Sequence, residues 1–419
     1  MKDNLMKLLL IILLGLLRPV LIQAQQMLEF SVFADDYARR NCPVSLDLSV
    51  AGLELNNKAY RLYQLEGKDE VPVPSQLEEG RNPRLWFIMS GELKRGGSRN
   101  YVLRESMKGD AADGIAIEKG QGGLKLVRNG HPILNYQFSE VFPPKGVDPL
   151  YKRSGFIHPL WSPSGEELTR IQAPDHYHHY GIWGPWTKTH INGREVDFWN
   201  LAKGQGTVRF SGFLSQVEGP VYSGFSALQE HVDFGAQGPD QTAISEILTV
   251  CVWNPDPEKK VWLIDYTSIM NCPLDSGIML DAYRYGGGIG FRATEKWNRN
   301  NSSVLTSEGN NRTKADGTNA RWCRVEGESK SGRSGILFMS HPSNRAYPEP
   351  MRVWPEDING RGDLYFEFCP ARHQDWKLEQ GKDYSQRYRL VVFDGELSET
   401  EAEQYWTAFA RPPRVVVSD

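Results

Sequence analysis

Apolar and polar residues alternate along most of this chain, and glycine and proline punctuate the runs. FSVFADDY, PVSLDLSVAGLEL, RLWFIMSGEL and NYVLRES carry the pattern early. GTVRFSGFLSQVEG, TAISEILTVCVW, VWLIDYTSIMNC, GILFMSHP, DLYFEFCP and YSQRYRLVVFDG carry it later. A period of two places alternate side chains on one face, and the Val, Ile, Tyr, Phe and Thr in these runs suit a pleated, half-buried surface. The pattern predicts a mainly β protein built of packed sandwich layers. One stretch reads differently. Ser398-Glu-Thr-Glu-Ala-Glu-Gln-Tyr-Trp has an N-cap serine with Glu401 three residues on, a capping box that predicts a short C-terminal helix.

The runs divide once. Residues 27–110 hold a compact set of short strands ending near SMKGDAADG, which reads as a small N-terminal β-sandwich. Residues 115–411 read as a larger β-sandwich domain that carries every dense motif, with no internal repeat. Residues 1–24 are of another kind. Lys2 and Lys7 lead into an apolar run from Leu8 to Leu17, and Ala24 supplies a small residue before a polar stretch. That is the layout of a cleaved signal peptide, and its apolar run is about half the length a membrane span needs. The expectation is an exported chain, periplasmic or extracellular, with no membrane span once the leader is removed.

Composition narrows the partners. The formal net charge is −4 and the basic residues are not clustered, which argues against nucleic acid. Cys42, Cys251, Cys272, Cys323 and Cys369 show no CxxC spacing, so a zinc knuckle is disfavoured, whereas export permits a disulfide. Twelve tryptophans and seventeen tyrosines build cores first and favour carbohydrate stacking only weakly.

Candidate chemistry concentrates in PDHYHHYGIWGPW, which holds three of the nine histidines. In an extended strand His176 and His178 share one face, and His179 points the other way with Tyr177. His176 and His178 then suit one metal ion, with His190 or a distant carboxylate as third ligand. Alternatively a neutral imidazole serves as general acid or base, or the rings are structural. Trp183 and Trp186 offer a stacking platform. Arg153 and His158, in YKRSGFIHPLW, stand among apolar residues, and an arginine there suits a carboxylate. Asp197, in DFWN, suits the orienting of a histidine. In DAYRYGGGIGFR, Asp281, Tyr283 and Tyr285 alternate, four glycines allow close backbone approach, and Tyr285 or Arg292 faces a substrate. Glu246, in an alternating strand, reads either as a solvent-facing glutamate or as a half-buried carboxylate whose raised pKa would suit an acid. His341, in SHPSNRAYPEPMRVW with Arg352, is a further candidate.

Taken in order, RSGFIHPLWSPSG, DHYHHYGIWGPW, DFWN, YGGGIGFR and SHPSN resemble the DUF6807 family over about residues 120–395. That family carries a methane-oxygenase, PmoA-like label. Methane monooxygenase subunits are membrane-bound, and the absence of a long apolar run after the leader leaves no methane chemistry to carry over. The sheet-rich pattern with its YGG loop also looks like the galactose-mutarotase-type β-supersandwich. That resemblance implies a large supersandwich domain after the small one, and carbohydrate chemistry on a concave sheet face. The family implies no catalytic assignment.

Together these readings predict an exported carbohydrate-active enzyme that processes oligosaccharides or polysaccharide fragments, by lyase-type elimination or glycoside hydrolysis. His176 or His178 would be acid or base, His179 assisting, Tyr285 a second proton donor, Glu246 an acid, and Arg153 or Arg292 a carboxylate clamp. His158, Trp183, Trp186, Asp197, Asp281 and His341 would contact substrate. No carboxylate pair of the kind hydrolysis commonly uses stands out, which tilts the reading towards elimination. This chemistry needs no cofactor. The alternatives are a carbohydrate-binding protein without catalysis, and an enzyme dependent on a divalent metal at His176, His178 and His190.

Overall fold

The computed structural model describes residues 27–49, 59–106, 114–235, 238–254 and 261–418. The leader read over 1–24 and most of the SMKGDAADG boundary lie outside them. Strands dominate, as the alternation requires. The longest, Gly206–Val217, Tyr222–Asp233, Gln241–Trp253, Val261–Asn271 and Asp383–Asp394, are the segments with the longest alternating runs. They pair antiparallel in an eight-stranded sheet completed by Gly332–Ser340, Trp322–Ser329 and Ser302–Thr306.

A nine-stranded sheet faces it. Its middle runs through Glu349–Val353, Tyr365–Phe368, Ile289–Arg292, Ile182–Trp183, Phe156–Leu160 and His131–Gln137. Inward side chains of the two sheets form one apolar core, with Phe225, Leu248, Ile264, Phe338 and Leu390 from one and Leu134, Ile157, Phe291 and Phe366 from the other. Phe338 and Phe366 meet across the gap at 4.8 Å between ring centres. Burial of each such side chain is worth about 1.5–3 kcal/mol, so the inner faces fix the register of both sheets. Alternation then sends Trp183, Arg292, Tyr365 and Glu367 to the outer face of the nine-stranded sheet. A second cluster of Phe156, Tyr180, Trp183, Trp199, Trp354 and Tyr365 buries that face too.

The strands before residue 107 form a three-stranded sheet and four strands of a five-stranded one, around their own core with Phe30, Val44, Phe87 and Tyr101 at its centre. The C-terminal helix, Glu399–Ala410, begins with the capping box read from Ser398 and Glu401. It buries Ala402, Trp406 and Phe409 against Leu337, Met339 and Val391 of the eight-stranded sheet. The chain then returns: Arg414–Val417 pairs with Met27–Phe33. Four residues were too few to carry a pattern, and the reading of the large domain ended at 411. All five cysteines are free thiols, so the disulfide that export allows is not formed. Among the described residues no helix is long and apolar enough to cross a membrane.

Candidate active site

The histidine segment forms the strand His176–Tyr180, paired with Ile171–Ala173 in a two-stranded ribbon. Ile171 pairs with Tyr180 and Ala173 with His176, so the histidine strand carries more residues than its partner between the two pairs. That bulge breaks the period of two. His179 therefore does not point away from the other two, as regular alternation predicts. The three rings converge, with centres 5.3 Å apart for His176 and His178, 4.8 Å for His176 and His179, and 5.0 Å for His178 and His179. One ring nitrogen from each lies within 4.8 Å of the others.

His179 is the innermost. Trp199 stacks on it at 5.5 Å, and Trp183, Trp354 and Tyr365 lie at 5.4, 5.4 and 5.1 Å. Neither of its ring nitrogens has a hydrogen-bond partner. Burial pushes its pKa well below the usual histidine range, and neighbouring His178 adds to the effect. Burial, with His176 beside it, lowers His178 to about 4. Both imidazoles are therefore neutral at pH 7, the form that binds a metal or accepts a proton.

His176 is oriented from behind. Its Nδ1 lies 2.7 Å from the Asp175 carboxylate, which leaves Nε2 for the cluster. Asp175 in turn accepts from Arg292 Nη2 at 2.8 Å and Asn359 Nδ2 at 2.9 Å. Against its own burial, the His176 hydrogen bond and the Arg292 charge hold Asp175 well below the usual carboxylate range. Arg292 lies over the Trp354 ring at 4.6 Å and also pairs with Asp363 at 3.2 Å. A carboxylate clamp for substrate is therefore not its role, because two carboxylates of the chain already occupy it.

Tyr285 joins the group from the glycine loop. Its oxygen accepts from Arg352 Nη2 at 3.3 Å and Trp354 Nε1 at 3.0 Å, and its ring meets Trp199 at 5.1 Å. Below lie two residues the sequence reading missed. Tyr365 Oη donates to Glu367 Oε2 at 2.6 Å, while Glu367 Oε1 has no partner. Glu367 is 0 % exposed, and burial pushes its pKa up to about 8 against the hydrogen bond from Tyr365. A signal was present in DLYFEFCP, an acid inside a strand otherwise almost wholly apolar.

Several expected residues lie elsewhere. His190 is not among the converging rings: the nitrogens that lie within 4.8 Å of one another are those of His176, His178 and His179, and His190 Nδ1 pairs instead with Asp281 at 2.5 Å. Trp186 is no stacking platform, because it is buried against Trp376 with Gly287 packed on its ring. Trp183 is buried too and walls the histidines from within. Glu246 is fully buried rather than half-buried. Against that burial, His231 at 2.8 Å and Ser268 at 2.5 Å lower its pKa, so it is not a poised acid. Arg153 lies in the interior, over the Tyr180 ring at 5.7 Å, and cannot clamp a substrate from there. His158 bonds Thr169 Oγ1 at 2.9 Å and is lowered to about 4 by burial. Asp197 orients Trp199 rather than a histidine, accepting from the Trp199 and Asn200 amides at 3.0 and 2.9 Å. Trp199 in turn donates to the His178 carbonyl at 2.8 Å. His341 bonds Ser343 and packs on Phe409 of the C-terminal helix.

Residues 123–407 match the model of a family described as DUF6807, a family of unknown function. No curated protein matches the chain. Among solved structures, an alpha-mannosidase from Enterococcus faecalis is 8% identical with a TM-score of 0.46, over 94% of this chain and 46% of that one. A protein in the glycosyl hydrolase family 38 from the same organism is 9% identical with a TM-score of 0.43, over 94% of this chain and 47% of that one. The chain spans less than half the length of either structure.

Proposed function

The chain belongs to the DUF6807 family, and from that premise we propose that it is an exported carbohydrate-processing enzyme that works with a divalent metal ion held by His176, His178 and His179. One observation carries the metal: three histidine rings meet with a nitrogen of each within 4.8 Å of the others, and the innermost has no other partner. Tetrahedral ligands at about 2.0–2.1 Å from zinc lie about 3.3 Å apart, so small ring movements close the set. The Asp175–His176 pair supports it, because metal-bound histidines donate their second ring nitrogen to a carboxylate. Three protein ligands leave a further position for water or a substrate oxygen.

His176 and His178 are half-buried, whereas His179 is sealed, so substrate reaches the cluster from the His176–His178 side. Half-buried rings near that side, Tyr151 against Tyr177 and Tyr283 against Tyr285, present flat faces and hydroxyls to a sugar. The Tyr285 oxygen already accepts twice, so its own proton is the one left to give. The reaction would be cleavage of a glycosidic bond: in hydrolysis a water activated by the metal would add to the anomeric carbon, in elimination a metal-held hydroxide would take the carbon-bound proton, and in both Tyr285 would protonate the leaving oxygen.

The test uses untagged protein. Elemental analysis is expected to find close to one divalent ion per chain in wild type and in His190→Ala, and little in His178→Ala. Metal-loaded and chelated protein are then screened on oligosaccharides for new reducing ends and for the absorbance of an unsaturated uronate. Folded wild type that takes up no zinc, manganese or iron would end the metal reading. A loaded protein that cleaves no carbohydrate would end the substrate reading.

A further inference from the structure

Arg153 and Arg292, the expected partners for a sugar carboxylate, are both taken by the fold, one into the interior and the other onto Asp175 and Asp363. Arg284 is not. It precedes Tyr285 in the glycine loop, its side chain is exposed, and its guanidinium carbon lies 5.2 Å from the centre of the Tyr285 ring. The backbone beneath it is pinned. The Arg284 carbonyl accepts from Arg372 Nη1 at 3.1 Å, and the Tyr283 amide donates to the Ala371 carbonyl at 3.2 Å.

Positive charge gathers around this ring. Arg352 lies 5.0 Å from the same centre and donates to the Tyr285 oxygen. Carboxylates balance only part of it. Asp316 is shared between Arg352 at 2.7 Å and Arg372 at 3.1 Å. Glu367, opposite Arg352 in the strand register, keeps its proton at neutral pH and adds no charge. Asp375 accepts from the Ala282 amide at 2.7 Å and makes no ion pair with Arg284. Among the described residues the Arg284 guanidinium has neither a hydrogen-bond nor an ion-pair partner. The whole chain carries a formal charge of −4, so the excess is local to this loop. A local cationic patch beside a site raises the concentration of anions there.

We propose that Arg284 selects an anionic oligosaccharide, pairing with a carboxylate or sulfate ester on the sugar that rests against Tyr285. The inference rests on the carbohydrate reading of the histidine site and narrows it. A guanidinium offers such an oxyanion two parallel hydrogen bonds, and Arg284 has all its donors free. Tyr285 is one ring removed from the histidines, through Trp199 at 5.1 Å from it and 5.2 Å from His178. The charge is thus read close to the bond to be cleaved.

The test titrates the full chain calorimetrically, with zinc present and at constant ionic strength. The probes are oligogalacturonides for the carboxylate, carrageenan oligosaccharides for the sulfate ester, and mannan oligosaccharides of the same length as the neutral class. Wild type should bind one acidic class about tenfold or more tighter than the neutral one, and which class it is separates carboxylate from sulfate. Arg284→Ala should erase that margin while zinc content and melting temperature stay unchanged. Arg95→Ala, which removes another exposed charge on the N-terminal sandwich, should leave the margin intact. Neutral oligosaccharides bound as tightly as acidic ones, or a margin that survives Arg284→Ala, would overturn this inference and leave the carbohydrate reading standing. Binding of none of the three would overturn both.

Discussion

Replacing Glu367 by glutamine should flatten the dependence of stability on pH. The carboxyl is raised from 4.5 to about 8 by burial, the largest influence on it. The folded chain therefore keeps a proton that the unfolded chain releases above 4.5. Stability contributed by the neutral acid is complete below that pH and is lost as pH rises towards 8. At 1.36 kcal/mol per unit, the full loss is on the order of 5 kcal/mol. Glutamine is neutral at every pH, its oxygen can accept from Tyr365, and its amide replaces Oε1, which has no partner to lose. Glu349, pushed up to about 7 by burial, titrates in the same direction but is present in both proteins and cancels in the comparison. Urea unfolding at pH 5 and pH 8.5 measures the difference. Wild type should lose several kcal/mol more than Glu367→Gln across that interval, with the two nearly matched at pH 5. Parallel losses would refute the assignment of a buried, protonated acid at the base of the site.

Asp175→Asn removes the carboxylate charge that orients His176 and raises its basicity, and metal affinity should fall about 10–100-fold in a competition titration while the fold persists; unchanged affinity would show that the carboxylate does not act through the histidine. Gly287→Ala would place a Cβ 1.9 Å from Trp186 Cε3 at a backbone φ of +79°, and should cost about 3 kcal/mol or more in denaturant unfolding; a loss below about 1 kcal/mol would mean that the loop is not pinned on that ring. Ser398→Ala breaks the capping box of the C-terminal helix and should cost about 1 kcal/mol by the same assay, whereas a neutral result would show that Trp406 and Phe409 alone hold the helix.

Local physics was legible without the fold. Alternation over runs such as TAISEILTVCVW reports one face turned to a core, and this holds whatever the strand pairs with. The Ser398 and Glu401 spacing closes on itself within one helical turn, so the cap was readable from the chain alone. The concentration of histidine at 176–179 and the Tyr285–Arg292 loop were likewise visible as unusual segments, and the fold brings them together.

What the histidines do was decided in three dimensions. An extended strand puts His179 opposite His176 and His178, and only the unequal pairing with Ile171–Ala173 turns all three together. The same is true of their surroundings. Trp354, Tyr365 and Glu367 lie far from the histidines in sequence; pairing of Tyr365–Phe368 with Ile289–Arg292 on one side and Glu349–Val353 on the other carries them to the outer sheet face. Glu246 and Arg153 looked like site residues because a charged group in an apolar run invites that reading. The sheets place them in the interior, where burial and, for Glu246, the hydrogen bonds to His231 and Ser268 keep both from the site. A period of two tells which residues share a face. It does not tell which face meets which, because that depends on register and bulges set by strands far apart in the chain.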